Sequence, residues 1–132
     1  KKVVAGKEYY FQYRLTWGSR ISLGKDKPVA VTATRTGIGG ISGMLETEKR
    51  KFVVDFAPST VVTKAFNNNE ISIDASASEG KITGLHLMQN PLTKGLTAYV
   101  DFKPDNKISE LRIVLKKGEE NVSEVWSYQW LP

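Results

Sequence analysis

Alternating aromatic side chains at both ends of the chain limit its fold more than any other feature. The residues of one parity are Phe11, Tyr13, Leu15 and Trp17 near the N-terminus, and Trp126, Tyr128 and Trp130 near the C-terminus. A two-residue period is the pattern of a β-strand that buries one face. Because aromatic side chains bury large areas, we predict that both segments are strands that anchor a hydrophobic core.

The chain between these two segments also alternates between apolar and polar residues. The sequence predicts eight strands and no helix, with strands at 9–17, 29–36, 51–56, 71–77, 81–89, 96–102, 111–116 and 122–130. Gly, Pro, Asn and Asp occupy the breaks, as turns require. Short strands at this spacing predict an all-β antiparallel sandwich. Two longer loops, 18–28 and 37–49, are the places where we expect binding residues.

The parity of each predicted strand also identifies the side chains that should face the core. The clearest inward rows are Phe52, Val54 and Phe56; Ile71, Ile73 and Ala75; Leu96, Ala98, Val100 and Phe102; and Leu111, Ile113 and Leu115. The strand at 81–89 has apolar residues on both parities. This mixture predicts either burial on both faces or a β-bulge near Gly84.

Length, composition and charge exclude several classes of protein. The 132 residues fit one domain, and the absence of cysteine excludes disulfides and thiolate zinc sites. No apolar run has the length of a membrane span, and the first residues lack both a signal-peptide pattern and a Met, so we expect a piece of a longer chain. The net charge of +5 comes from basic residues scattered over predicted turns. We therefore expect no nucleic-acid partner.

Three aspartates lie on the outward parity of predicted strands, namely Asp55, Asp74 and Asp101. Glycosidases use two carboxyl groups separated by roughly 5 to 9.5 Å. Because neighbouring strands are about 4.8 Å apart, two of these aspartates could reach that separation. The other interpretation is that they keep a solvent-facing sheet soluble. We favour it, since no feature of the sequence places them in a closed pocket, and we predict no catalytic residue in this chain.

Neither the histidine nor the glycine-rich segment predicts a cofactor or a metal. His86 is the one histidine, and its strand neighbours supply no metal ligand or catalytic partner, so we expect a packed or half-exposed neutral imidazole. Residues 37–40, Gly-Ile-Gly-Gly, follow a predicted strand but precede no Lys-Ser or Lys-Thr pair. They predict a flexible or tightly turning loop rather than a phosphate-binding loop.

Two residues are candidates for contact with another domain or with a glucan. Arg35 shares the parity of Val31 and Ala33, so it either faces the core and requires a partner for its charge or lies at the end of the sandwich, where the strand leaves the core. Its partner would be a local ion pair or another domain. Trp17, Trp126 and Trp130 could stack on sugars, although their inward parity favours core packing. Of the three, Trp130 is the main candidate for a contact outside the core, because it lies close to the end of the chain.

Four ordered segments resemble a known family. They are YYFQYRLTWG at 9–18, VTATRTGIGG at 31–40, RKFVVDFAP at 50–58 and SEVWSYQWLP at 123–132. In this order they resemble the C-terminal part of the periplasmic glucan biosynthesis proteins G and D, which act in making osmoregulated periplasmic glucans. The resemblance runs from about residue 9 to the last residue and is less distinctive over 61–94.

The resemblance implies a fold, a location and a role. It implies that residues 1–132 form one immunoglobulin-like sandwich of about seven to eight strands, the C-terminal domain of a two-domain periplasmic protein. The partner would be the larger N-terminal β-sandwich with its glucan-binding cleft, to which the family's β-1,2-glucan hydrolysis belongs, so this chain alone should not be catalytic. An autonomous carbohydrate-binding or adhesion-type module is the alternative, and a glycosidase that uses the aspartates is a weaker third. Whether the parent is a hydrolase, a transferase or a branching partner stays open, as does the choice between G and D.

Overall fold

A computed structural model of the chain describes residues 5–8, 12 and 28–132. The described elements, in chain order, are β1 (Val31–Ile41), β2 (Met44–Phe56), α1 (Thr60–Asn67), β3 (Ile71–Ala77), β4 (Lys81–Gln89), β5 (Leu96–Lys103), β6 (Ser109–Lys117), β7 (Glu120–Asn121) and β8 (Trp126–Trp130). The strand predicted at 9–17 lies outside the described residues, except for residue 12, and so does the loop at 18–27.

The described strands form two four-stranded antiparallel sheets. The first sheet has the order β1-β2-β5-β4. In the second sheet, β6 pairs with β3, with β7 and with β8. This arrangement confirms the predicted all-β antiparallel sandwich of about eight strands.

The core lies between the two sheets and contains the predicted inward rows of β2, β5 and β6. Its fully buried members are Phe52, Val54, Phe56, Leu96, Ala98, Val100, Phe102, Leu111, Ile113 and Leu115, with Trp126 from β8 at 7% exposure. The inward row of β3 is partly buried against the same cluster. Burying a large apolar side chain stabilises the fold by about 1.5 to 3 kcal/mol. These rows therefore account for the packing of the two sheets against each other.

The prediction of no helix is wrong, because α1 forms between β2 and β3. Ser59 caps its N-terminus by accepting a hydrogen bond at 3.3 Å from the backbone N–H of Val62. Val62 and Ala65, which are three residues apart, form its buried face. The helix has only eight residues and includes β-branched valines and threonines, which favour strands. Tertiary packing of this short face therefore overrides the local preference.

The prediction of a loop at 37–49 is also wrong, because these residues extend β1 and β2 into a long hairpin. Its register shifts from Ile38↔Arg50 to Gly39↔Glu46, so β2 carries three extra residues at 47–49. We call residues 39–46, beyond this bulge, the outer hairpin. A Cβ atom on Gly40, whose φ is +90°, would lie 2.3 Å from the carbonyl oxygen of Met44. The Gly-Ile-Gly-Gly segment thus allows two strands to approach closely at a bulge.

A second bulge explains the mixed parity of β4. Ile82 pairs with Phe102, but Gly84 already pairs with Asp101, so the register shifts between them. The shift brings Leu85 to the same face as Ile82, although the two residues have opposite parities in the sequence. The predicted bulge near Gly84 is confirmed. In the part of the chain that the structure describes, no helix is long and apolar enough to cross a membrane.

Candidate functional site

The outer face of the first sheet carries a groove of about 640 Å³ beneath the outer hairpin. Ile41 and Leu45 line it from the hairpin, while Met88 and Tyr99 line it from β4 and β5. Its volume lies within the range of about 300 to 1,000 Å³ that is typical of ligand sites. The groove exists because the bulge in β2 turns the outer hairpin relative to the sheet.

The rim of the groove is apolar and exposed. Ile41, Met44 and Leu45 on the outer hairpin are 67%, 69% and 64% exposed. Across the groove, Met88 is also an exposed large apolar residue. The sequence placed binding residues within 37–49 but did not single out these side chains, because it assigned the segment to a loop. The available signal was the presence of three large apolar residues within five positions of a predicted loop.

The floor of the groove contains a lysine and an aspartate. The Nζ atom of Lys51 lies 3.6 Å from Oδ1 of Asp101, and it also donates a hydrogen bond to the carbonyl oxygen of Gly40. Oδ1 of Asp101 is shielded from solvent and accepts no hydrogen bond from any described residue. Because the two side chains lie close together, their opposite charges compensate each other on the floor of the groove.

The groove also contains an aromatic contact, which involves the histidine. His86 is exposed, in register with Tyr99, and the two ring centroids are 6.2 Å apart. Within 5–8, 12 and 28–132, no group of three His, Cys, Asp or Glu side chains could hold a metal ion. The two rings offer aromatic faces and hydrogen-bonding groups to a ligand in the groove.

Arg35 lies on the outer face of the first sheet, so its predicted core-facing position is wrong. The register of β1 shifts between Val31 and Ala33, which reverses the parity of the residues that follow. Arg35 is 57% exposed, and its Nη1 atom lies 2.8 Å from Oδ2 of Asp55, whose side chain is 7% exposed. Thr97 donates a second hydrogen bond to Asp55 at 2.7 Å. Arg35 thus forms a local ion pair, and its contact with another domain stays a prediction.

The three aspartates are separated too widely to act as a pair. Asp55 is in register with Thr97, which is four residues before Asp101 on β5. Four residues span about 13 Å along a strand, beyond the roughly 5 to 9.5 Å of glycosidase carboxyl pairs. Asp74 belongs to the second sheet, where its Oδ2 lies 3.4 Å from Nζ of Lys116. The less favoured interpretation, in which two of them meet across neighbouring strands, is therefore wrong.

Trp130 is partly buried at one end of the sandwich. Its ring packs against Phe102 with centroids 6.0 Å apart, and the guanidinium carbon of Arg50 lies 5.7 Å from its centroid. The Nε1 atom is buried and donates to no described residue. The ring therefore belongs mainly to the core, and the role of Trp130 in a domain or glucan contact stays a prediction.

The ion pair of Arg35 and Asp55 yields a stability prediction. Replacing Arg35 with alanine should lower the free energy of unfolding by about 1 to 2 kcal/mol, because it removes a charged donor from a buried carboxylate. Urea denaturation of the purified chain measures this loss. The matched control is Lys103→Ala, which removes an ion pair with Glu48 that is exposed on both sides and should cost less than about 1 kcal/mol. Equal losses in the two variants would show that the burial of Asp55 does not matter.

The fold and the groove define a class of protein, a β-sandwich module with an apolar groove on the outer face of one sheet. The chain matches the family model described as periplasmic glucan biosynthesis protein, MdoG, over residues 1–130, and it belongs to that family.

Its relatives include both types of protein that the sequence resembles. It is 37% identical to glucans biosynthesis protein D 1 of Ralstonia nicotianae, over 97% of this chain and 24% of the relative. It is 33% identical to glucans biosynthesis protein G of Shewanella frigidimarina, over 97% of this chain and 22% of the relative. The chain thus spans about a quarter of the length of these curated relatives.

Proposed function

We propose that this chain is the accessory β-sandwich domain of a periplasmic protein that acts in glucan biosynthesis, and that it packs against a larger, glucan-acting part of the same polypeptide. The family membership supports the role in periplasmic glucan biosynthesis. The observation that carries the accessory role is length, because the chain corresponds to about a quarter of its relatives. A domain of this size in a longer protein has neighbours within the same chain.

The chemistry of the described carboxylates supports an accessory role rather than catalysis. Asp55 is held by Arg35 and Thr97, and Asp101 is paired with Lys51. Hydrolysis of a glycosidic bond by a pair of carboxyl groups needs one that stays protonated near neutral pH and a second one at a suitable distance. The spacing of these aspartates does not provide that pair. The glucan chemistry of the full-length protein would therefore belong to the rest of the polypeptide.

The proposal also gives a partner and a location. The partner is the remaining polypeptide, whose ligand would be the glucan, and the family's description places its members in the periplasm. Arg35 and Trp130 are candidate contacts on this side of the domain boundary. Arg35 keeps an exposed guanidinium, and Trp130 keeps an indole N–H that no described residue accepts.

Thermal unfolding tests the accessory role directly. If the domain packs against the rest of the polypeptide, it should unfold at a higher temperature within the full-length protein than as the isolated chain, because the contact stabilises its folded state. Calorimetry of both proteins, with spectroscopic assignment of the transition that belongs to this domain, measures the difference. Identical transition temperatures would show that the domain is an independent module.

The same proposal predicts that the isolated chain does not cleave glucan. Incubation of the purified chain with linear β-1,2-glucan should yield no shortened products, while an established β-1,2-glucanase run alongside should yield them. The accessory role would be wrong if products appeared and were then lost in Asp55→Asn or Asp101→Asn.

One observation favours a second candidate, an autonomous carbohydrate-binding module. The exposed His86 ring and the Tyr99 ring lie together in the groove, beside the carboxylate of Asp101. Aromatic rings with nearby hydrogen-bonding groups can bind a sugar. Calorimetric titration of the isolated chain with linear glucan separates the candidates, since saturable binding would favour the module and the absence of heat would favour the accessory domain.

A further inference from the structure

We infer that the groove beneath the outer hairpin is the docking surface for an apolar, uncharged segment of the remaining polypeptide. This inference rests on the proposed function, because it assumes that the remaining polypeptide packs on this domain. It specifies which surface makes the contact and what chemistry the contacting segment has.

The apolar rim carries the first step. Ile41, Met44 and Leu45 are each more than 60% exposed on one short two-stranded ribbon. Isolated two-stranded ribbons are only marginally stable in water, and large exposed apolar patches mark interaction sites. Covering these side chains would contribute about 25 cal/mol for each Å² of apolar surface removed from water. The outer hairpin is therefore expected to be covered in the full-length protein.

The floor of the groove determines the charge of the docking segment. Oδ1 of Asp101 is shielded from solvent by this domain itself, so a docking segment does not bond to it. Lys51, at 3.6 Å, already compensates the charge of the carboxylate. A second cation would then leave an excess positive charge in a partly closed groove. An uncharged segment therefore fits the floor better than one that brings an arginine or a lysine.

The aliphatic walls favour a peptide segment over a glucan as the occupant. Ile41, Leu45 and Met88 offer no hydrogen bonds from their side chains, whereas a glucose unit carries hydroxyl groups around its whole ring. Hydroxyl groups placed against aliphatic side chains would lose their bonds to water without replacement. An apolar side chain loses nothing in the same position.

The length of the relatives supplies the source of that segment. About three quarters of each curated relative lies outside the region that this chain matches. A segment in the same polypeptide meets the groove at a high effective concentration, so a modest contact area suffices for it to stay bound.

Site-specific photo-crosslinking in the full-length protein tests the inference. The photo-reactive residue p-benzoylphenylalanine replaces Leu45 in the groove, Gln129 near Trp130, or Leu92 as the control. Leu92 is an apolar residue in the turn between β4 and β5 and is 91% exposed. After irradiation, mass spectrometry identifies the linked peptides. We expect Leu45 to link within the same molecule to a peptide outside this domain, and Leu92 to form no such link.

The other outcomes separate this inference from the proposed function. Links from Gln129 but not from Leu45 would overturn the groove as the docking surface while the packing of the domain survives. Links from none of the three positions would overturn both. Links from Leu45 to a second molecule, or links lost when linear glucan is added, would assign the groove to a second copy or to a glucan and overturn the inference.

A matched pair of substitutions provides a second readout. Leu45→Ser should lower the unfolding temperature of the full-length protein and leave that of the isolated chain nearly unchanged, because Leu45 is 64% exposed in the chain itself. Leu92→Ser should change neither temperature. Equal effects of Leu45→Ser in both proteins would show that Leu45 contributes only to the stability of the hairpin.

Discussion

Replacing Trp126 with alanine should lower the free energy of unfolding of this chain by about 3 to 5 kcal/mol. Trp126 is 7% exposed, its ring centroid lies 5.5 Å from that of Phe52, and it stacks on Tyr128 at 5.8 Å. Its Nε1 atom also donates a hydrogen bond at 2.9 Å to Oγ1 of Thr34, on the other sheet. The substitution therefore removes a large ring and a bond that joins the two sheets, and it leaves a cavity.

Two further variants make this result interpretable in urea denaturation. Val125→Ala changes the preceding residue, which is 38% exposed, and should cost about 1 kcal/mol or less. Trp126→Phe keeps an aromatic ring but loses the bond to Thr34, so its loss should lie between those of the two alanine variants. A loss of less than about 1 kcal/mol in Trp126→Ala would mean that the ring is not part of the core.

Replacing Gly40 with alanine should open the outer hairpin. The added Cβ atom would lie 2.3 Å from the carbonyl oxygen of Met44 and 2.8 Å from the backbone nitrogen of Glu46, at a φ of +90° that side chains rarely adopt. The backbone strain and the collision together cost about 2 to 4 kcal/mol. Because the outer hairpin lies beyond the bulge, the chain can relieve this strain by local opening. Amide exchange at residues 40–45 should therefore accelerate by at least about tenfold, which corresponds to roughly 1.4 kcal/mol.

Two other glycines of the hairpin separate the causes of this effect. Gly43 has a φ of +84° but no described heavy atom within 4 Å of an added Cβ, so Gly43→Ala measures the backbone strain alone. Gly37 shows neither a positive φ nor a described neighbour within that distance, so Gly37→Ala should be nearly neutral. If Gly40→Ala accelerated exchange no more than Gly43→Ala, close approach of the two strands at the bulge would not be the reason for Gly40.

The predictions that failed share a physical cause. A strand is recognised from parity only while its register is constant, and β1 shifts register between Val31 and Ala33, which moves Arg35 to the outer face. The bulge at 47–49 interrupts parity in the same way and made a long hairpin look like a loop. The helix α1 has too few residues to show a helical period, and packing of Val62 and Ala65 stabilises it. The register shift, the bulge and the helix each depend on contacts between residues that are distant in sequence.

The sequence by itself determined the all-β class, the inward rows of β2, β5 and β6, and the four segments that identify the family, because these follow from local alternation and residue identity. Only the tertiary structure decided which strands pair, that Asp55 lies with Arg35 and Thr97, and that Asp55 and Asp101 are too far apart to act together. The groove between the outer hairpin and β4 likewise follows only from the tertiary structure. A groove between two elements depends on register, bulges and sheet order, which long-range packing selects.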